Sequence, residues 1–331
     1  MARKRGQVSL GSLLTLCLLP ACLVGEEWVW PTTMPHPRGK ALETFVQPTA
    51  SGKVESALFG MTRNDGTRFH EGLDIRPLAR DGRGEAVDLV KAVLAGRVAY
   101  VCPAPTGPYG RYVVLEHQTS GLPAYSLYAH LASVRGDLYV GMGVKAGQIL
   151  GVLGRSSGDE PIPRERAHLH FEIGLRLSEG YNSWHGRQAG LRRERNPHGN
   201  FHGWNLVGID PLPILLGQQR DLLSVIRDTP TALVVAVRTR KVPDFVKRHP
   251  GLVDGSAADA AGWKVEFTWH GLPKRWTPLA VNDKQLPTSN WRIIGVKESE
   301  RHRLERRDML VKGTGAAGAV LRRNLELALG Y

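Results

Sequence analysis

Between residues 70 and 173 the apolar and polar positions change over in short runs, and no helical period is sustained. Leu89–Leu94, Arg97–Val101, Tyr112–His117, Ala124–His130, Ile149–Leu153 and Leu169–Ile173 have strand length and are rich in β-branched and aromatic residues. Glycines at 96, 110, 121, 141, 143, 147, 151 and 154 punctuate them, as tight turns between antiparallel strands require. The pattern predicts a mainly β fold, an antiparallel β-sandwich or open barrel. Further on, ALVVAVRTR, WKVEFTWHG and NWRIIGVKE alternate like half-buried strands, and AGAVLRRNLELAL reads as a short closing helix. These predict a small β-rich C-terminal extension.

The run AHLHFEI, Ala167 to Ile173, carries His168 and His170. Alternate side chains of a strand share a face, so these two imidazoles point the same way, which suits a metal. Upstream, FHEGLDI sets His70 and Asp74 four apart, with Gly72 between them to let the backbone turn so that both reach one point. His70, Asp74 and His170 would give one zinc ion three protein ligands. The fourth tetrahedral position would be left for water, as in catalytic rather than structural zinc sites. Neither pair is specific alone, because a chain with 12 histidines produces such spacings by chance, and paired histidines also serve as ordinary surface or core residues.

The text between the pairs is what makes them specific. ALFGMTRNDGTRFHEGLDI, VKAVLAGRVAYV, YGRYVVLEH, SLYAHL, VGMGVKAGQILGVLG and HLHFE follow one another over Glu55 to Glu172. In content and order they resemble the lysostaphin/LytM-type zinc metallopeptidases, which cut peptide cross-links of bacterial cell walls. The resemblance covers a little over a third of the chain. It implies a zinc metalloendopeptidase with peptidoglycan as substrate, His70, Asp74 and His170 as metal ligands, and His130 and His168 as the two catalytic histidines that do not bind metal. Some members of the family lack ligands and act as non-enzymatic activators of wall amidases, and a wall-binding protein is a further alternative. All five site residues are present here. His117, at the end of VVLEH, is expected in a structural or supporting role, Glu71 as solvated, and Tyr109 and Tyr128 as packing residues that could instead line a groove. The segments 155–166 and 174–205 are longer than the family pattern. The second adds His185, His198 and His202 with Trp184 and Trp204, read as an ordered surface loop, with a cleft floor or a second metal site as alternatives.

Charge and leader refine this picture. The 44 Lys and Arg against 31 Asp and Glu leave +13, and residues 218–331 hold 20 basic and 12 acidic side chains, or +8 of that surplus. No nucleic-acid motif accompanies it, so nucleic acid is not expected as a partner and an anionic wall or membrane surface fits better. Arg3, Lys4 and Arg5 before the apolar run Val8–Leu19 read as an export signal, too short for a membrane span. LPAC, ending at Cys22, resembles a lipoprotein signal whose cysteine is acylated, with ordinary cleavage a few residues later as the alternative. Cys102 is the single cysteine beyond it and is expected to be an inert thiol, so no internal disulfide framework is possible. The expected organisation is therefore a signal over 1–25, a proline-punctuated linker or strap over 26–52, a metallopeptidase domain over 53–217 and a basic accessory domain or extension over 218–331. The expected location is the periplasm or cell envelope, with an anchor to the membrane if Cys22 is acylated.

Overall fold

The computed structural model describes residues 28–63, 68–119, 122–191, 193–218 and 221–331. The export signal and the acylation of Cys22 therefore lie outside the described residues. In the first two thirds of the chain the strands are β1 Thr62–Arg63, β2 Arg68–Phe69, β3 Leu73–Ile75, β4 Leu89–Lys91, β5 Gly96–Thr106 and β6 Gly110–Thr119. They continue as β7 Leu122–Ala129, β8 Ser133–Val134, β9 Gly143–Val144, β10 Ile149–Val152, β11 Leu169–Arg176 and β12 Leu206–Ile209. All the strand pairs among them are antiparallel. The main sheet runs β12-β11-β7-β6-β5-β9, with β3 added beside β11, and a smaller sheet runs β4-β10-β8.

β11 is buried along its whole length and β7 nearly so, because residues on both faces of the main sheet are covered. That double burial is why these stretches read as continuous apolar runs rather than strict alternation. One face rests on a core that includes Leu73, Leu115, Tyr128, Phe171 and Ile173. The other carries a smaller cluster of Tyr112, Val114, Tyr125, Leu127 and Leu206. The proline-punctuated segment lies along the domain as a strap. Thr32 pairs with Val90 and Val46 with Ile75, and Trp30, Phe45 and Val46 are buried in the larger core.

The C-terminal region forms a second antiparallel sheet, from β13 Leu233–Arg238, β14 Gly262–Phe267, β15 Pro273–Leu279 and β16 Trp291–Val296, in the order β15-β14-β13-β16. β15 was not legible in the sequence, because Pro273 and Pro278 break the strand pattern. It is an edge strand, where a residue without an N–H is tolerated. The helices are α1 Tyr181–Arg187, α2 Leu212–Leu215, α3 Leu222–Asp228, α4 Asp244–Arg248, α5 Arg301–Arg306 and α6 Ala319–Leu329. α6 buries Val320, Leu321, Asn324, Leu325 and Ala328 and stops at Gly330, whose φ of +81° ends the helix in the left-handed conformation. None of the described helices is long and apolar enough to cross a membrane.

Contacts between the two sheets are polar as well as apolar. Arg176 on β11 donates to Glu116 and Glu179, and Arg248 on α4 donates to the same two carboxylates. The Trp184 indole N–H donates to Glu326 on α6 at 2.9 Å. One continuous core cluster runs from the strap through the main sheet into the C-terminal sheet.

Two buried histidines of the C-terminal region make stability depend on pH. His249 is fully enclosed, donates from Nε2 to the Arg176 carbonyl at 3.1 Å and packs on Phe245. Burial, helped by the charges of Arg248 and Arg176, pushes it down to about 3. Burial beside Arg307 and Arg303 does the same to His270. An unfolded histidine titrates near 6.5, so below that pH the unfolded chain binds more protons than the folded one and stability falls with falling pH. Each histidine should cost about 2 kcal/mol between pH 6.5 and pH 5. Urea unfolding at the two pH values measures this, and His249→Gln should flatten part of the slope.

Candidate metal centre and catalytic cleft

The site is assembled by strand pairing. β3 lies antiparallel to β11 with Asp74 directly opposite His170, so the two side chains emerge on the same side as cross-strand neighbours. His70 sits just before β3, its backbone N–H bonded to the Met61 carbonyl at 2.9 Å. The three side chains are buried and meet at one point. His70 Nε2 lies 2.9 Å from Asp74 Oδ1, His170 Nδ1 lies 3.0 Å from the same oxygen, and the two nitrogens are 3.1 Å apart. They form the cluster of metal-binding geometry found among the described residues.

What each residue presents is fixed from behind. His70 donates its Nδ1–H to the Leu58 carbonyl at 2.8 Å, which turns Nε2 inward. His170 donates its Nε2–H to Glu172 Oε1 at 2.9 Å, which turns Nδ1 inward. Arg63 holds Asp74 Oδ2 at 2.6 Å and leaves Oδ1 for the cluster. Glu172 also accepts from the hydroxyls of Tyr109 at 2.6 Å and Tyr125 at 2.8 Å. Such outer partners orient metal-binding histidines and raise their basicity.

The electrostatics favour a cation at the meeting point. Burial opposes the charge on Asp74, yet His70, His168 and His170 outweigh it and hold the carboxyl well below its usual range. Burial likewise opposes the charge on Glu172, and the hydrogen bonds from His170, Tyr109 and Tyr125 keep it ionised. Burial lowers His170 as well, but Asp74 and Glu172 hold its proton up to about 9. The pocket thus draws positive charge to the spot where two imidazole nitrogens and a carboxylate oxygen converge. A tetrahedral divalent cation with N and O ligands fits this donor set, and one face remains towards the cleft.

His130 and His168 stand beside it, with ring centroids 4.7 Å apart. His130 donates its Nδ1–H to the Ser156 carbonyl at 2.8 Å and His168 to the Arg166 carbonyl at 2.7 Å, so both carry their lone pair on Nε2. His168 Nε2 lies 3.6 Å from Asp74 Oδ1. Burial keeps both rings neutral at ordinary pH, and their neighbouring imidazoles push His130 down further. His130 follows β7 with a φ of +60°, a strained conformation that recurs at functional sites. His168 precedes β11 rather than lying in it.

Two clefts meet at these residues. One, of about 440 Å³, is lined by His70, His130 and His170 together with Tyr109, His198 and Trp204. The other, of about 760 Å³, runs past His130, His168, Asp74, Ser157 and Asp159. The loop 155–166 thus shapes one side, and the long segment after β11 shapes the other.

Several readings from the sequence change here. Glu71 is half-buried in the cleft, with burial pushing its carboxyl up, instead of solvated. His198 and His202 form part of the cleft wall, and His198 accepts from the Tyr112 hydroxyl at 2.7 Å. His185 joins them only through ring packing, and no second metal cluster occurs among the described residues. His117 is a buried structural residue bonded to Ala95 and Ser126. Tyr128 packs in the core with its hydroxyl on Ser126 and Val93, whereas Tyr109 faces the cleft. Cys102 is a free, buried thiol. The supporting roles of Arg63 and Glu172 were missed. Glu172 was within reach, because it sits two residues beyond His170 on the same strand face.

Gly72 also acts differently from the expected turn. A Cβ there would lie 2.2 Å from the Phe171 carbonyl oxygen, so its bare backbone is what lets β3 close on β11. Gly72→Ala should therefore push the strands apart and separate Asp74 from His170. A lower melting temperature together with weaker zinc uptake, read by calorimetry and metal analysis, is the expected result.

Residues 68–182 match the family model described as peptidase family M23. No curated protein matches the chain. Among solved structures, a zinc-containing peptidase from Vibrio cholerae is 21% identical with a TM-score of 0.30, over 45% of this chain and 37% of that one. The catalytic domain of the antimicrobial peptidase lysostaphin from Staphylococcus simulans is 20% identical with a TM-score of 0.33, over 53% and 94%. A protein described as a glycyl-glycine endopeptidase LytM, from Ruminococcus gnavus, is 20% identical with a TM-score of 0.28, over 53% and 61%. This chain thus spans little more than a third of the length of the Vibrio protein. Over residues 68–182 the chain carries the signature of peptidase family M23, and the resemblance to lysostaphin/LytM-type peptidases holds there.

Proposed function

We propose that this protein is a zinc-dependent endopeptidase that hydrolyses peptide cross-links of bacterial peptidoglycan. The carrying observation is the convergence of His70 Nε2, Asp74 Oδ1 and His170 Nδ1 within 3.1 Å, beside two neutral histidines in an open cleft. The family match supports peptide-bond hydrolysis. The export signal read at the N-terminus supports an enzyme of the cell envelope, where this substrate lies.

In this reading one zinc per chain is held by His70, Asp74 and His170, and when bound it polarises the scissile carbonyl and lowers the pKa of water towards about 7. The chain supplies the proton handling. His130 and His168 each have Nδ1–H committed to a backbone carbonyl, so their Nε2 atoms act as bases at neutral pH. One Nε2 takes the proton of the attacking water, and the imidazolium so formed returns it to the leaving amine. Arg63 and Glu172 keep Asp74 and His170 facing the site throughout. Asp74 balances charge and also favours protonation of His168.

Digestion of purified peptidoglycan with and without a chelator, followed by mass analysis of fragments, tests the reading. Peptide-bond products that vanish on chelation are expected. A protein that takes up zinc and binds wall material yet releases no fragments would favour the non-enzymatic reading. Zinc content and hydrolysis should also separate the roles. Asp74→Ala and His170→Ala should lose most of their metal, because two ligands remain. His130→Ala and His168→Ala should keep near-stoichiometric zinc and lose about 10²- to 10⁴-fold in rate. Metal lost from His168→Ala but kept by His170→Ala would overturn the assignment.

A further inference from the structure

The 440 Å³ cleft has a wall that does not come from the M23-matched segment. Arg307, just after α5, and Arg323, in α6, line it together with His70 and His170. Each guanidinium lies over an aromatic ring of the peptidase region, Arg307 at 4.0 Å from the centroid of Phe69 and Arg323 at 5.4 Å from that of Trp204. Such stacking fixes the plane of a guanidinium while leaving its edge available for hydrogen bonds. Arg307 donates from Nε to the His270 carbonyl at 3.3 Å, and Arg323 donates from Nε and Nη2 to Asn324 Oδ1 at 3.3 and 3.2 Å.

Among the described residues neither forms a direct ion pair. Arg301 and Arg303, nearby on α5, form ion pairs with Glu298 and Glu300 at 2.6 and 3.1 Å. Among the described residues, no carboxylate oxygen lies within 4.0 Å of Arg307 or Arg323. Glu71 and Asp308 act on them only through space, and burial together with the charge of Arg307 pushes Arg323 down to about 10. Two like charges half-buried beside each other with no carboxylate in contact are costly to keep. The cost is offset where a ligand supplies the anion, and the planar fork of a guanidinium matches a carboxylate with two parallel hydrogen bonds.

We propose that Arg307 and Arg323 form a carboxylate-binding subsite of the catalytic cleft, through which the C-terminal region selects peptides that bear a free carboxylate. The identification of the carboxylate's carrier as a peptide rests on the peptidase reading above. The carboxylate has two sources in a wall peptide, a side chain or the C-terminus, and the geometry serves either.

The test uses the zinc-loaded full chain and four fluorescent synthetic cross-link peptides: one with both carboxylates free, one amidated at the side chain, one amidated at the C-terminus, and one amidated at both. Binding is read by fluorescence anisotropy in the His168→Ala protein, and hydrolysis in the unaltered protein. The free peptide should bind about 10- to 100-fold more tightly than the doubly amidated one. The singly amidated peptide that shows the loss identifies the source. Arg307→Gln and Arg323→Gln should bring the ratio of free to amidated affinity towards one, Arg323→Lys should retain part of it, and Arg306→Gln, at an exposed site, should leave it intact. Equal binding of free and doubly amidated peptides by the protein with both arginines intact would overturn the subsite, whatever the arginine variants do. The two readings fail separately: hydrolysis without a carboxylate preference refutes the subsite alone, and a carboxylate preference without hydrolysis refutes the peptidase alone.

Discussion

The site depends on one strand pairing. β3 is only three residues long, yet its register against β11 sets Asp74 opposite His170, and the rest of the cluster follows from that placement. A slip of one residue would turn Asp74 to the other face of the sheet, because side chains alternate along a strand. Gly72 permits the close approach, the strap pairs with the other side of β3 through Val46, and His70 is held just before the strand by its backbone bond to Met61. Much of the surrounding architecture can be understood as holding three residues of chain in register.

A second layer fixes chemistry rather than position. Four histidines each commit one ring nitrogen as a donor, three to backbone carbonyls and one to Glu172, so the identity of the inward-facing nitrogen is settled by the fold. Two such rings belong to the candidate metal cluster and two stand neutral beside it. Burial drives this division. It disfavours charge on His130, with the neighbouring imidazoles adding to the effect, while two nearby carboxylates overcome it at His170. Side chains of one residue type, a few ångströms apart, are thereby prepared for different tasks.

The C-terminal sheet is joined to the main sheet through core packing and through the shared carboxylates Glu116 and Glu179. Its helices reach the cleft, so Arg307 and Arg323 lie near His70 although more than two hundred residues separate them in the chain. The positive surplus of this region is therefore not spread over solvent alone. Part of it is enclosed at the site.

The sequence by itself determined what depends on local pattern: the mainly β class, six strands of the main and smaller sheets within a few residues, and the closing helix. The spacing of His70 with Asp74 and of His168 with His170 marked them as a candidate metal group, and His130 entered through the resemblance carried by the ordered motifs between them. Tertiary structure decided whatever depends on segments distant in the chain. Glu71 is half-buried in a cleft that it lines together with Arg307 of the C-terminal region, and β15 became a strand only because an edge position tolerates its prolines. Arg63 and Tyr109 acquired supporting roles through partners 11 and 63 residues away. Hydrophobic periodicity reports which face of an element is buried, but not what it is buried against, and that pairing is what gives the cleft its walls and its charge.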